Sequence, residues 1–306
     1  MFLNKWFLPK PYNEGYLPEK DGHKIYFAEY GNKKGIPVLL FHGGPGGSCK
    51  AKKIKGINLN KYRVITLDQR GCGLSTPLGK IENNTTDDLL KDYDRLVNYL
   101  NINKKIILRG GSWGSTIALL WAEKNPQKVE KMLLSQIFLA NDDFHHWEFD
   151  GTKYIYPEFV EYMDKKSKGN IIGYYNKLIQ SSNTKKQLEA INEFGWFERI
   201  CGSMRPEFAC FSDACDKELA SNRIYIHYAA NNFFLKGNDI LKNINKIKDI
   251  KTIIIHNRLD LICPFKGAYD LHKNMNNSEL IIVDEFGHVG NKLRKTIAKK
   301  LNGDLK

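Results

Sequence analysis

The sequence predicts an α/β protein: a mostly parallel sheet covered on both faces, interrupted by a mainly helical cap. Three observations predict it. Near-continuous apolar runs alternate with stretches of helical periodicity, as strands buried on both faces and joined by crossover helices require. Between about residues 140 and 245 that alternation stops and the chain becomes aromatic-rich and helical, with no strong strand. The length of 306 residues with 42% hydrophobic content is enough for a large core.

The strands follow in order. Residues 37–44 (PVLLFHGG), 63–69 (RVITLDQ), 105–111 (KIILRGG), 131–138 (KMLLSQIF), 251–257 (KTIIIHN) and 279–286 (ELIIVDEF) are the apolar runs. Helices are expected over 86–101 and 115–125. Residues 22–31 (GHKIYFAEYG) alternate apolar and polar positions and suit an edge hairpin strand. In the interrupting segment, YPEFVEYMDKK, IIGYYNKLI and KKQLEAINEFGWFERI read as helices. The expected organisation is a core over 1–139, a helical cap over 140–245, and the rest of the core over 246–306.

Composition excludes several classes. The six cysteines, Cys49, Cys72, Cys201, Cys210, Cys215 and Cys263, are scattered without C-x-x-C or zinc spacing, and read as reduced thiols with no metal site. The N-terminal MFLNKWFLPKPYNEGYL is too broken by polar residues to be a secretory segment, and nothing approaches the roughly 18 apolar residues of a membrane span. A soluble, cytoplasmic protein is expected. The net charge of +13 comes from lysines spread along the whole chain. It reads as compositional bias, so neither nucleic acid nor membrane is an expected partner. The densest basic run, 291–306, carries Leu293, Ile297 and Leu301 at helical spacing, as a C-terminal helix with a solvated lysine face would.

The chemistry is signalled by G-x-S-x-G at Gly110–Gly114, placed after a strand and before a helix. A serine on so sharp a turn needs small neighbours, and its hydroxyl is left exposed at a helix N-terminus. FHGGPGG at 41–47 follows another strand and supplies a glycine-rich loop. Gly44 and Trp113 are the expected oxyanion donors through their amides, and His42 is expected to be a structural hydrogen-bonder. Asp260 follows the strand in IIIHNRLDLICP, and His288 follows the last strand in VDEFGHVG. The order Ser112, Asp260, His288 is that of the α/β-hydrolase fold, and all three fall at the C-terminal ends of strands, where one crevice can hold them. Ser112 is the expected nucleophile, His288 its base, and Asp260 the group that orients the ring. Asp270 and Asp284 are weaker candidates for the acid, one lying in a helical stretch and the other only four positions before His288.

With these residues assembled, the chain resembles the proline iminopeptidase (prolyl aminopeptidase) family of α/β hydrolases. HGGPGG, DQRGCGLS at 68–75, GGSWGSTIAL at 110–119, the CP after Asp260 and the GH at 287–288 carry the resemblance. It implies release of an N-terminal residue, preferentially proline, from peptides, without metal or cofactor. It further implies that Glu198, in FGWFE, pairs with the substrate's free amino terminus, and that Phe138 walls a proline pocket. The chain also departs from the family pattern. Tyr225 stands where a second amine-binding glutamate is expected, Ala229 replaces a pocket phenylalanine, Ser135 replaces an arginine, and Glu148 replaces an aromatic. One carboxylate in place of two would weaken the hold on an ammonium group. Glu148 is an acid that would restore the charge from another side.

The alternative within hydrolases is an esterase or amidase acting on a small uncharged substrate. A non-catalytic binding module would have no use for the ordered triad, and no recognition motif accompanies the lysines. The expected partner is a short peptide or a small ester or amide; no oligomeric state can be read from the sequence.

Overall fold

The computed structural model describes residues 8–203, 216–237 and 239–303. The described strands are β1 Asn13–Tyr16, β2 Tyr26–Gly31, β3 Ile36–Phe41, β4 Tyr62–Leu67, β5 Ile106–Ser112, β6 Val129–Ile137, β7 Thr252–Leu259 and β8 Ser278–Phe286. The helices are α1 Thr86–Tyr99, α2 Trp113–Lys124, α3 Asp142–His146, α4 Pro157–Ser167, α5 Ile171–Ile179, α6 Thr184–Ser203, α7 Asp216–Ala230, α8 Asp239–Asn243, α9 Phe265–Lys273 and α10 Asn291–Gly303. The strands form one sheet in the order β1-β2-β4-β3-β5-β6-β7-β8, parallel from β4 through β8.

Alternation along each central strand divides the core between the two faces. Leu39 and Phe41 of β3 and Leu108 of β5 pack beneath α1, α2 and α9, whereas Val38, Leu40 and Ile107 face the side covered by α10. Both faces are thus apolar, which is why these strands read as unbroken hydrophobic runs. α1 starts where a capping box forms: the Thr85 hydroxyl accepts from the amide of Asp88, whose carboxylate accepts from the amide of Thr85. α10 buries Leu293, Ile297 and Leu301 and leaves Lys292, Lys295 and Lys299 in solvent.

Two expectations need correction. β2 is not an edge strand: it pairs antiparallel with β4 on one side and with β1 on the other. β1 itself, NEGY, has no apolar alternation to announce it, being a short edge strand with little buried surface. α2 begins at Trp113 rather than 115, because β5 runs straight into it through Ser112.

Between β6 and β7 the described chain is helical and builds its own cluster from Met163, Tyr175, Ile191, Phe194 and Phe197, joined by Leu261 from the loop after β7. The indole of Trp147 donates to the Leu261 carbonyl at 2.7 Å, tying this segment to the loop that carries Asp260. Cys49, Cys72, Cys201 and Cys263 are free thiols. Cys210 and Cys215 lie outside the described residues. Among the described residues no helix is long and apolar enough to cross a membrane.

Candidate active site

Ser112 closes β5 with φ 56° and ψ −135°, a conformation that costs a non-glycine residue about 1–3 kcal/mol. Its neighbours hold it there. A Cβ at Gly110 would collide with the Gly114 carbonyl, and one at Gly114 with the Phe41 carbonyl, so both positions require glycine. The Gly43 backbone lies against the nucleophile: a Cβ built on it would stand 3.3 Å from Ser112 Cβ. The Cys263 side chain lies beside Ser112.

His288 Nδ1 donates to Asp260 Oδ2 at 2.8 Å. Asp260 Oδ1 accepts from the amides of Ile262 and Cys263 at 3.0 and 2.9 Å, so the carboxylate is fixed at both oxygens. Burial opposes its ionisation, but His288, the hydrogen bond from it and the Cys263 amide outweigh burial and hold Asp260 below the usual carboxylate range. Burial likewise opposes a charged His288; the charge of Asp260, its hydrogen bond and Glu198 prevail, and the ring titrates above its usual value. The structure therefore brings Ser112, Asp260 and His288 to the C-terminal ends of the parallel strands β5, β7 and β8, with His288 Nδ1 committed to Asp260. Asp270 instead pairs with Lys266 on α9.

A second cluster lies in the helical segment. The Tyr225 hydroxyl on α7 donates to Glu148 Oε1 at 3.2 Å, and Glu198 on α6 lies close enough to both to act on their charge. Burial, followed by the like charge of Glu198, pushes Glu148 up to about 8. Burial pushes Glu198 up to about 7, against the pull of Tyr225 and His288. Two carboxylates in a dry recess share protons near neutral pH, and an incoming cation would discharge both. Beside them stands an aromatic group: Phe138 lies 4.4 Å from Phe144 and 4.9 Å from Phe233 between ring centroids, and Phe233 packs on Trp113 at 5.7 Å.

The α/β-hydrolase fold model matches residues 36–294. A curated proline iminopeptidase of Arabidopsis thaliana is 36% identical over 302 residues, covering 95% of this chain and 79% of that protein. The proline iminopeptidase of Neisseria gonorrhoeae is 34% identical over 288 residues, 92% of each chain. The chain belongs to the proline iminopeptidase family of α/β hydrolases. Solved structures agree on the fold: VinJ superposes with a TM-score of 0.64 at 16% identity, over 95% of this chain and 99% of that one. An α/β hydrolase from a Medee basin deep-sea metagenome gives 0.63 at 18% identity, over 94% and 95%.

Two of the departures from the family pattern meet in space. Tyr225, at the family's second glutamate position, touches Glu148, at a family aromatic position, so a tyrosine and an acid have exchanged places around Glu198. Glu148, the acid the sequence offered from another side, stands beside Tyr225 and close enough to Glu198 to feel its charge. Ala229 is buried in the core cluster that contains Phe138, and Phe233, one helical turn further on, supplies a ring there. Ser135, in place of the family's arginine, donates to its neighbour Gln136, whose amide in turn donates to the His288 carbonyl at 2.7 Å.

The remaining motif residues form a frame. Trp113 Nε1 donates to Gln69 Oε1 at 3.1 Å, and Gln69 Nε2 donates to the His42 carbonyl at 3.1 Å, so one side chain fixes the 42–47 loop relative to the residue after the nucleophile. His42, held neutral by burial at about 3, accepts from the Gln69 amide and donates to the Gly43 carbonyl. Arg70 is wholly buried in a two-pronged pair with Asp92 at 2.7 and 3.1 Å. His256 accepts from the Ile137 amide and donates to the Cys263 carbonyl, joining β6 to the Asp260 loop. Sequence reasoning did not single out Gln69, His256, Phe144, Phe233 or Cys263 for these positions. Gln69 and Cys263 lie within recognised motif blocks, but the others carry no local signal.

Proposed function

We propose that the chain is a serine exopeptidase that releases an N-terminal residue, preferentially proline, from peptides through an acyl-enzyme. The observation that carries this reading is the pairing of a Ser–His–Asp arrangement with a two-carboxylate, aromatic-lined recess in electrostatic contact with His288. A free amino terminus is a cation. The Glu148 and Glu198 carboxylates can neutralise it, and the buried aromatic cluster of Phe138 and Phe233 beside them supplies apolar surroundings for a pyrrolidine ring. An internal peptide bond brings no ammonium group, so the recess selects a chain end. The segment 140–245 serves as the cap, with 1–139 and 246–306 as the core.

In the reaction, the Ser112 hydroxyl turns to His288 Nε2, which takes its proton as Oγ attacks the scissile carbonyl carbon. The amides of Gly44 and Trp113 stabilise the oxyanion, and the Gln69 bridge keeps the two donors in register. His288 then protonates the leaving nitrogen, which departs as the shortened peptide and leaves the acyl group on Ser112. Water, deprotonated by His288, hydrolyses that ester and frees the N-terminal residue. Asp260 holds the tautomer throughout and stabilises the imidazolium.

The four free thiols suit a reducing compartment, which supports a cytoplasmic location. The test compares prolyl- and alanyl-naphthylamide with p-nitrophenyl acetate for the wild type and Ser112→Ala. Release of naphthylamine, faster from the prolyl compound and abolished in the variant, supports the exopeptidase. Hydrolysis of the ester alone would replace it with an esterase.

A further inference from the structure

A cavity of about 920 Å³ reaches Ser112, His288 and Gly44 from the face of the sheet covered by α10, where it is floored by Leu293, Ile297 and Leu301. None of Phe138, Glu148, Glu198 and Tyr225 lines it. Its polar lining is one-signed. Lys53, Lys55, Arg109, Arg294 and Lys295 face it, and no acidic residue does. None of these five forms an ion pair among the described residues.

Arg109 is the most unusual of them. It sits in the central strand β5, on the same face as Ile107 and Gly111, where a parallel sheet ordinarily carries apolar side chains. Its guanidinium has one hydrogen bond among the described residues, to the Lys53 carbonyl at 3.3 Å. Burial holds Arg109 below the usual arginine range; burial and then the charge of Arg109 lower Lys53, against the pull of the Asp68 carboxylate. Two neighbouring cations with no ion pair among the described residues and only the longer-range charge of Asp68 on Lys53, facing a volume that opens on Ser112, are arranged for an anion.

We infer that this cavity receives the leaving-group side of short peptide substrates, with Arg109 and Lys53 pairing with the peptide's C-terminal carboxylate. The inference rests on the exopeptidase reading above and deepens it. A short peptide is a zwitterion, and the molecule offers it acids on the acyl side of Ser112 and bases on the other. The lengths agree. Arg109 is three residues before Ser112 along β5, about 10 Å at 3.3 Å per residue. A two-residue leaving group spans about 7 Å when extended, and the arginine side chain covers the remainder. The substrates best served are di- and tripeptides with a free C-terminus.

The test measures kcat/KM for Pro-Ala-Ala as the free acid and as the C-terminal amide, beside prolyl-naphthylamide in the same preparation. The acid should exceed the amide by about tenfold in the wild type, the scale of one charge-assisted pair. In Arg109→Met that ratio should fall toward one, and Lys53→Ala, at a more exposed position, should reduce it in the same direction. A wild-type ratio of one with naphthylamide turned over normally would overturn the carboxylate site and leave the exopeptidase standing. An undiminished ratio in both variants would also overturn it. No turnover of any of the three substrates would overturn both readings.

Discussion

Replacing Glu198 by Gln removes one carboxylate from the recess while keeping its shape. At 4 Å and an effective dielectric near 20, a carboxylate–ammonium pair is worth about 4 kcal/mol before desolvation. Net values for hydrogen bonds to charged groups are about 1.5–3 kcal/mol, equivalent to a fall of about 10- to 150-fold in kcat/KM for prolyl-naphthylamide at pH 8. p-Nitrophenyl acetate has no ammonium group, so its hydrolysis should stay within about threefold, the difference that surface-scale perturbations of about 0.5 kcal/mol produce. Glu148→Gln carries a distinct signature. Burial and then the like charge of Glu198 raise Glu148, so removing Glu148 takes the higher-titrating acid out of the pair and should move the acid limb of the prolyl-naphthylamide profile to lower pH. The ester profile reports His288, whose raised value comes, against burial, from Asp260 and Glu198 and not from Glu148, and should not move. Equal losses on both substrates, or an unmoved acid limb in Glu148→Gln, would refute the recess as an amine site.

Further outcomes follow from the same geometry. His288 must be neutral to accept the serine proton, and its pKa lies above the usual value, so ester hydrolysis should rise with pH through a midpoint above 6.5. Asp260→Asn, which removes the charge at His288 Nδ1, should lower kcat by about 10⁴-fold while thermal unfolding shows a folded protein. The raised carboxylates of the recess bind protons in the folded chain that the unfolded chain has already released. Urea stability should therefore fall as pH rises from about 4.5 toward 8, and Glu148→Gln should flatten that slope. Asp92→Asn would leave the buried Arg70 guanidinium with only the half-exposed Asp21 as a charged partner and should cost about 3 kcal/mol in urea unfolding.

The catalytic end of the molecule was legible because its constraints are local. A strand, a glycine-flanked serine and a following helix are adjacent in sequence, and Asp260 and His288 each come just after an apolar run that ends at the same sheet edge. The segment between β6 and β7 was legible as helix and its acids could be named, but how they pack was not legible. Glu148 and Tyr225 are far apart in the chain, and only the packing of α6 and α7 against the segment after α3 brings the acid to the tyrosine. Phe233 was hidden for a different reason. It sits in a run, Asn232 to Phe234, of left-handed backbone that no propensity argument selects for asparagine–phenylalanine–phenylalanine. The basic cavity was obscured by composition. Its lysines and arginines are drawn from three separate segments, and against 47 basic residues none of them stands out.

The central claim is that this triad acts on a residue whose amino group is free. Its most direct measurement is the ratio of kcat/KM for prolyl-naphthylamide to that for N-acetylprolyl-naphthylamide, at pH 8 with one preparation of the wild-type chain. Losing the ammonium and burying an acetyl group against two carboxylates predicts a ratio of about 100 or more. A ratio near one, with Ser112-dependent turnover of both compounds, would contradict the account.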